Sequence, residues 1–77
     1  MSNVAERIRN VVVHILKVDP ARITDEARFV EDLGAESVQS IELVAAFEEE
    51  FDIEMDEEAA LGVRTVGKAI EFISAMV

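Results

Sequence analysis

The sequence predicts a small all-α domain, a bundle of three main helices and one short helix with a long loop between the first two. Its 77 residues permit one domain, spanning 1–77, with one small core. Apolar residues recur every three or four positions in three separate segments, which is the spacing of amphipathic helices. Residues that favour helix caps stand at the start of each segment, and no repeat or linker interrupts the chain.

The first segment is a helix expected from Val4 to Leu16. Asn3 is suited to cap its N-terminus. Asp19-Pro20 closes the segment, because proline disfavours a helical residue before it. Residues 17–36 show no long period, and a loop of this length tends to be functional or locally structured. Three apolar residues are expected to pin it onto the core: Ile23, Phe29 and Leu33.

The second segment is the clearest helix, expected from Ser37 to Phe51. One side carries an apolar stripe suited to burial: Leu43, Val44, Phe47 and Phe51. The opposite side mixes carboxylates with apolar residues. A helix that needed only solubility would not place Val38 and Ile41 there. This side is therefore expected to meet a partner.

Two further helices complete the predicted bundle. A short one is expected before Gly62, with Asp56 as its cap and acids in its first turn. A last helix is expected from Val66 to about Met76, with Thr65 as its cap. Gly67 makes its first turn imperfect, because glycine costs about 1 kcal/mol relative to alanine.

The charge is strongly acidic and unevenly distributed. Seven Lys and Arg against 17 Asp and Glu give a formal net charge of −10 at pH 7. Residues 29–63 hold 12 of the acids and none of the bases. Such a chain is repelled by nucleic-acid phosphates and by anionic lipid, so we expect a basic protein as its partner.

Several other functions lack the residues they need. Without cysteine the chain has no thiol nucleophile and no thiolate metal site. The single histidine, His14, is not expected to meet a serine and an acid in a closed pocket, so we expect no catalysis. The alternating acids from Asp52 fail the calcium-loop pattern, because Glu57 and Val63 replace its glycine and its last glutamate. We expect no dedicated metal site.

No membrane span or secretory signal is expected either. The longest apolar runs are far too short to cross a bilayer. The first three residues lack the apolar stretch of a signal peptide. We therefore expect a cytoplasmic domain.

Ser37 stands at the start of the acidic helix, three residues after Gly34. Its simplest role is to cap that helix. A hydroxyl at a helix N-terminus is also exposed, and the helix dipole favours a phosphate attached to it by about 0.3–1 kcal/mol. Because Ser37 stands at the start of an acidic helix with exposed apolar residues, we interpret it as a candidate site for attaching a phosphate-linked group.

A family resemblance runs through the segments FVEDLGAESV (29–38), IELV (41–44) and FEEEF (47–51), and it extends to both ends of the chain. These segments closely resemble the acyl carrier protein family. The resemblance implies that Ser37 receives 4′-phosphopantetheine from coenzyme A. The thiol of that group would carry acyl intermediates as thioesters in fatty acid, polyketide or related lipid biosynthesis.

The resemblance also implies which residues meet the partners and the cargo. The partners would be a phosphopantetheinyl transferase and acyl-transferring or synthase enzymes with basic patches, and the carrier itself would be a monomer and not an enzyme. The residues expected to dock them are Glu36, Val38, Gln39, Ile41, Glu42, Ala45, Glu48 and Glu49. The residues expected to line the acyl chain are Leu43, Val44, Phe47, Leu61 and Ile70.

The sequence departs from the family pattern at the attachment point, where Glu36-Ser37-Val38 replaces the usual Asp-Ser-Leu. Gln39 replaces a frequent acid, and Ala45 stands where a larger apolar residue is common. Asp56 replaces a frequent proline. These changes imply a specialised paralogue rather than a housekeeping fatty-acid carrier. The alternative is an unmodified acidic helical adaptor that binds a basic partner.

Overall fold

The computed structural model describes residues 3–77, which form four α-helices and no β-strand. In chain order the helices are α1 (Val4–Leu16), α2 (Ser37–Phe51), α3 (Glu57–Gly62) and α4 (Val66–Met76). A 3₁₀ turn, Pro20–Arg22, lies in the loop between α1 and α2. The predicted all-α bundle, with three main helices, one short helix and a long first loop, is confirmed.

Side-chain caps fix the starts of α1, α3 and α4. Each cap accepts a hydrogen bond from the backbone N–H three residues later: Asn3 at 2.7 Å, Asp56 at 2.7 Å and Thr65 at 3.1 Å. Such a bond satisfies an amide that has no partner within its helix, and it is worth about 1 kcal/mol. All three caps are the residues that the sequence predicts.

Helices α1, α2 and α4 supply the most deeply buried side chains of the bundle. Helix α1 packs against both α2 and α4. The largest side chains with almost no exposure are Ile8, Val12, Phe47, Val66 and Ile73. Helix α3 contributes no buried residue. It therefore covers one side of a core that the three longer helices build.

The long loop between α1 and α2 is held on the core, as the sequence predicts. Its anchors Ile23, Phe29 and Leu33 are all buried. The Phe29 ring lies against α2, with its centroid 6.4 Å from that of Phe47. The loop therefore forms part of the packed domain.

A short backbone pairing joins this loop to the junction between α3 and α4. Residues 27–29 run antiparallel to residues 64–66, and we call this contact the backbone bridge. Two hydrogen bonds of 3.0 Å hold it, from the Phe29 N–H to the Arg64 carbonyl and from the Val66 N–H to the Ala27 carbonyl. The bridge ties the start of α4 to the segment that leads into α2.

Arg7 of α1 holds the C-terminal end of α2. Its Nε donates to the Glu50 carboxylate at 2.8 Å, and its Nη2 donates to the Glu50 carbonyl at 2.6 Å. Its guanidinium carbon lies 4.4 Å from the centre of the Phe51 ring. The last turn of α2 contains no base, and the free carbonyls of a helix end favour a cation. Arg7 supplies that cation from a neighbouring helix.

The structure explains why a glycine stands at position 67 in the first turn of α4, which the sequence does not reveal. Its backbone N–H donates to the Asp25 carbonyl at 2.8 Å. A Cβ atom at Gly67 would lie only 2.9 Å from that same oxygen. The Asp25 carboxylate also accepts a 2.8 Å hydrogen bond from Arg9, so the loop meets both α1 and α4 here.

We expect Gly67→Ala to destabilise the fold by about 1–3 kcal/mol, because the new methyl group would push the backbone of Asp25 away. Helix propensity alone predicts the opposite sign. Gly62→Ala is the matched control, since a Cβ there meets no atom within 4 Å. Urea unfolding measures both changes. A Gly67→Ala chain as stable as the parent would contradict the steric explanation.

Candidate functional site

Ser37 is the first residue of α2, and its side chain is exposed. The cap of α2 is the preceding residue, Glu36, whose backbone is extended. The Gln39 side-chain oxygen accepts a 2.9 Å hydrogen bond from the Glu36 N–H, which reinforces this start. The cap role considered for Ser37 is therefore wrong, because the helix already includes Ser37.

The position of Ser37 fits a phosphate-linked group. Amides in the first turn of a helix have no partner within the helix, and the positive end of the helix dipole lies there. Both neighbours in sequence, Glu36 and Val38, are exposed as well. A phosphate on the Ser37 hydroxyl therefore has solvent-side space and a favourable local field.

The turn that leads into Ser37 is closed by Arg28 and Asp32. The Asp32 carboxylate accepts from the Arg28 backbone N–H at 2.8 Å and from its Nε at 3.0 Å. Arg22 Nη2 donates to the Asp32 carbonyl at 3.0 Å. Gly34 then takes a φ of 73°, a conformation that glycine adopts without strain. These contacts set the direction in which α2 begins.

The exposed side of α2 carries most of the residues predicted to dock partners. Val38 and Ile41 are 68% and 71% exposed, and their three-residue spacing makes them neighbours on one side of the helix. Five exposed residues of α2, spaced three or four positions apart, lie on this side of the helix. We call these the docking face: Val38, Ile41, Glu42, Ala45 and Glu49. Glu36 is exposed just before it.

Two of the predicted docking residues, Gln39 and Glu48, are half-buried and make bonds within the chain. Gln39 supports the start of α2. Glu48 Oε2 accepts a 2.8 Å hydrogen bond from the backbone N–H of Met55, beyond the end of the helix. The sequence pattern of one helix does not reveal such a bond, because its donor lies in the following loop.

The acidic segment is less unbalanced than its sequence suggests. Arg28 forms ion pairs with Glu31 at 3.6 Å and with Asp32 at 3.0 Å, and Arg7 pairs with Glu50 at 2.8 Å. The other nine acids of residues 29–63 form no ion pair with the described residues, 3–77. Both acids of the docking face belong to these nine.

A groove of about 670 Å³ lies between α2 and α3, and Ile41 and Ala45 of the docking face also line it. This volume is within the range of about 300–1,000 Å³ that is usual for ligand pockets. Four of the residues predicted to line an acyl chain border the groove: Leu43, Val44, Phe47 and Leu61. Leu61 is 65% exposed, which places it near the mouth.

One predicted lining residue does not reach the groove, and two buried residues that line it are not among those predicted. Ile70 is half-buried on α4, where it packs against the core outside the groove lining. Phe29 and Met55 line the groove instead. Both lie in loops, so a search for helical periodicity does not find them.

Within residues 3–77, no three His, Asp or Glu side chains come together in an arrangement that would hold a metal ion. The helices of this part of the chain are also too short or too polar to cross a membrane. His14 is exposed on α1.

We expect the pKa of the Asp32 carboxyl to lie below its ordinary value of about 3.9, because the Arg28 side chain and then the Arg28 backbone N–H bond the charged form. A carboxyl whose pKa is lower in the folded state stabilises that state. The stabilisation from Asp32 is therefore present above about pH 4 and is lost as the pH falls through the folded-state pKa. Carboxyl ¹³C shifts measured against pH report the value directly. Arg28→Gln should raise it, and an ordinary or higher pKa in the parent would contradict the assignment.

Comparisons with known proteins identify the family of this chain. The family model described as "Phosphopantetheine attachment site" matches residues 6–73. An acyl carrier protein of Caulobacter vibrioides is 50% identical over 74 residues, which cover 96% of this chain and 95% of that protein. One of Phenylobacterium zucineum is 52% identical over 73 residues, which cover 95% and 92%.

The fold is also similar to that of a solved Mycobacterium tuberculosis protein described as an acyl carrier protein. The TM-score is 0.90 at 29% identity, and the match covers 97% of this chain and 100% of that one. The predicted covalent cofactor and the predicted carrier role are confirmed. The chain belongs to the acyl carrier protein family, and it carries acyl groups on covalently attached 4′-phosphopantetheine.

Proposed function

We propose that Ser37 is the attachment site and that the chain delivers acyl intermediates to enzymes of fatty acid, polyketide or related lipid biosynthesis. The observation that carries the proposal is the exposed Ser37 hydroxyl at the first residue of α2, whose cap is the preceding Glu36. Ser37 is thus available for modification without loss of the helix start.

The chemistry at Ser37 is a phosphoryl transfer. Its Oγ forms a bond to the phosphorus that carries the pantetheine arm of coenzyme A, the nucleotide phosphate leaves, and the serine proton passes to the transferase. When bound, the group supplies a thiol that holds acyl cargo as a thioester. The chain's own part is to present the hydroxyl on a rigid helix end whose dipole favours the phosphate.

The docking face supplies recognition. Glu42 and Glu49 form no ion pairs within the described chain, so a partner's Arg or Lys meets no competing base there. Ile41 offers apolar area beside them. Charges of this kind mainly steer and orient the encounter, while the apolar contact holds it. Enzymes with basic patches around an apolar pocket fit this surface.

Two of the departures from the family pattern fall on this same surface. Val38 and Ala45 both belong to the docking face and are both smaller than the residues usual in the family. A partner therefore meets a flatter apolar strip around Ile41. This supports a specialised paralogue with dedicated partners.

The groove is suited to the apolar part of the cargo. Leu43, Val44 and Phe47 form its α2 wall, and Leu61 of α3 lies across from them. Apolar cargo in the groove would be removed from water by contact with apolar side chains, which leave no hydrogen-bonding group without a partner.

We also infer that the chain itself is not a catalyst. Among residues 3–77, no polar or charged residue is buried, so this part of the chain holds no water-excluded catalytic group. A monomeric state and a cytoplasmic location stay predictions.

The attachment site is tested by intact mass after incubation with coenzyme A, Mg²⁺ and a broad-specificity phosphopantetheinyl transferase. We expect the parent chain to gain the mass of one phosphopantetheine and Ser37→Ala to gain none. Ser40→Ala is the matched control, because Ser40 is the next serine of α2 and is half-buried. It should be modified like the parent.

Other outcomes would separate the alternatives. Modification of Ser37→Ala would place the attachment elsewhere. No gain by the parent would contradict the assignment and favour the unmodified adaptor that binds a basic partner.

We expect Glu42→Lys to lower kcat/KM for this modification by about tenfold, because it places a cation against the partner's basic patch. Glu6→Lys makes the same change of charge at an exposed position of α1, away from the docking face, and should act much less. Steady-state kinetics with each variant measure the difference. Equal effects would mean that only the net charge of the chain matters and would contradict the assignment of the docking face.

A further inference from the structure

Arg64 is an exposed base at the border of the groove between α2 and α3. Among the described residues that line this groove, it is the only Lys or Arg. Four acids line the same groove: Glu31, Glu48, Asp56 and Glu57. Arg64 forms an ion pair with none of them and with no other acid of residues 3–77. The groove therefore has one cationic group that the fold does not neutralise.

The fold holds Arg64 at two points. Its carbonyl accepts the 3.0 Å hydrogen bond from the Phe29 N–H in the backbone bridge. Its Nε donates to the Leu61 carbonyl at 3.3 Å, in the last turn of α3. Its two Nη atoms make no hydrogen bond within the described chain. These atoms are therefore held close to Leu61, at the mouth of the groove, with their hydrogens available to a ligand.

Backbone hydrogen bonds also connect Arg64 to the turn before Ser37. The Phe29 carbonyl accepts a 2.8 Å bond from the N–H of Ala35, two residues before Ser37. The most buried side chains of the groove lining are apolar: Phe29, Leu43, Phe47 and Met55. Cargo that places its apolar tail among these side chains leaves its thioester end at the mouth, where Arg64 lies.

We propose that Arg64 donates a hydrogen bond to an oxygen of the cargo, so that the chain favours acyl groups with a hydroxyl or keto oxygen close to the thioester. This rests on the proposed function, since it requires acyl cargo in the groove. A hydrogen bond from a guanidinium is charge-assisted and stronger than one between neutral groups. A saturated acyl group has no such acceptor and gains only the apolar contacts of the groove.

The charges around the groove favour a neutral oxygen over a carboxylate on the cargo. One base against four acids leaves the lining residues with a net negative charge. An ion pair with the exposed Arg64 gains little, because water screens it. The four acids would meanwhile repel a further anion. A hydroxyl or keto oxygen accepts the same hydrogen bond without that repulsion.

Cleavage of the thioester by hydroxylamine tests this role, because cargo held in the groove is protected from attack. The chain is loaded with octanoyl, 3-hydroxyoctanoyl or 3-methyloctanoyl groups from their coenzyme A thioesters. Each cleavage rate is divided by that of the same thioester on free coenzyme A. We expect 3-hydroxyoctanoyl to be protected about fivefold more than the other two. The methyl group matches the hydroxyl in size but accepts no hydrogen bond.

Two variants assign the difference to Arg64. Arg64→Leu should remove the extra protection of the 3-hydroxyoctanoyl group. Lys68→Gln is the matched control, because it removes an exposed base of α4 that does not line the groove, and it should keep that protection. The cargoes are compared within each variant, so a change in the stability of the fold affects them alike.

Three results would overturn the role of Arg64. The first is equal protection of the hydroxyl and methyl cargoes in the parent chain. The second is extra protection of the hydroxyl cargo that persists in Arg64→Leu. The third is an equal loss for all three cargoes in Arg64→Leu, which would place Arg64 on the thioester or arm that they share. A parent chain that accepts no cargo would instead contradict the proposed function.

Discussion

The backbone bridge between residues 27–29 and 64–66 is the contact on which the placement of the functional site depends. The loop from Lys17 to Glu36 contains no α-helix, and its internal hydrogen bonds close local turns. The bridge fixes it against the start of α4. It thereby sets Phe29 against Phe47 and directs the turn that leads into α2. The groove wall and the orientation of Ser37 therefore depend on this pairing together with the Arg28 and Asp32 contacts that close the turn before α2.

Under the proposed function, helix α2 serves both the core and the partner. Its buried side, with Leu43, Phe47 and Phe51, fixes the helix in the bundle, so the opposite side is free for recognition. Acids along that side and at the helix end oppose the helix dipole. Arg7 relieves this opposition at Glu50 from α1, and no base has to be placed on α2 itself. The helix therefore keeps a recognition surface of one sign.

The parts of the structure that the sequence predicts are those decided by near neighbours. Helix periods and caps act over three or four residues, and the bounds of α1, α2 and α4 follow from them. Contacts between distant positions are not visible in a pattern, as for Gly67 on Asp25. The Glu48 bond to Met55 also escapes, because its donor lies in an irregular segment. Ser37 was predicted as a site from its helix position and from the family resemblance. The cap role considered for Ser37 is wrong because the residue with extended backbone just before the helix is Glu36, which is a less common cap residue.

Arg7 of α1 bonds the end of α2, and helix α2 itself contains no base. All seven bases of the chain lie outside residues 29–63, so α2 and the segment around it form a negative pole. A molecule with this separation of charge has a permanent electric dipole moment. In the field of a positively charged enzyme it experiences a torque before any contact is made. Rotational search is what reduces protein association to about 10⁵–10⁷ M⁻¹ s⁻¹. A carrier that approaches such an enzyme is therefore turned with its α2 pole toward it, and fewer collisions arrive from the wrong side.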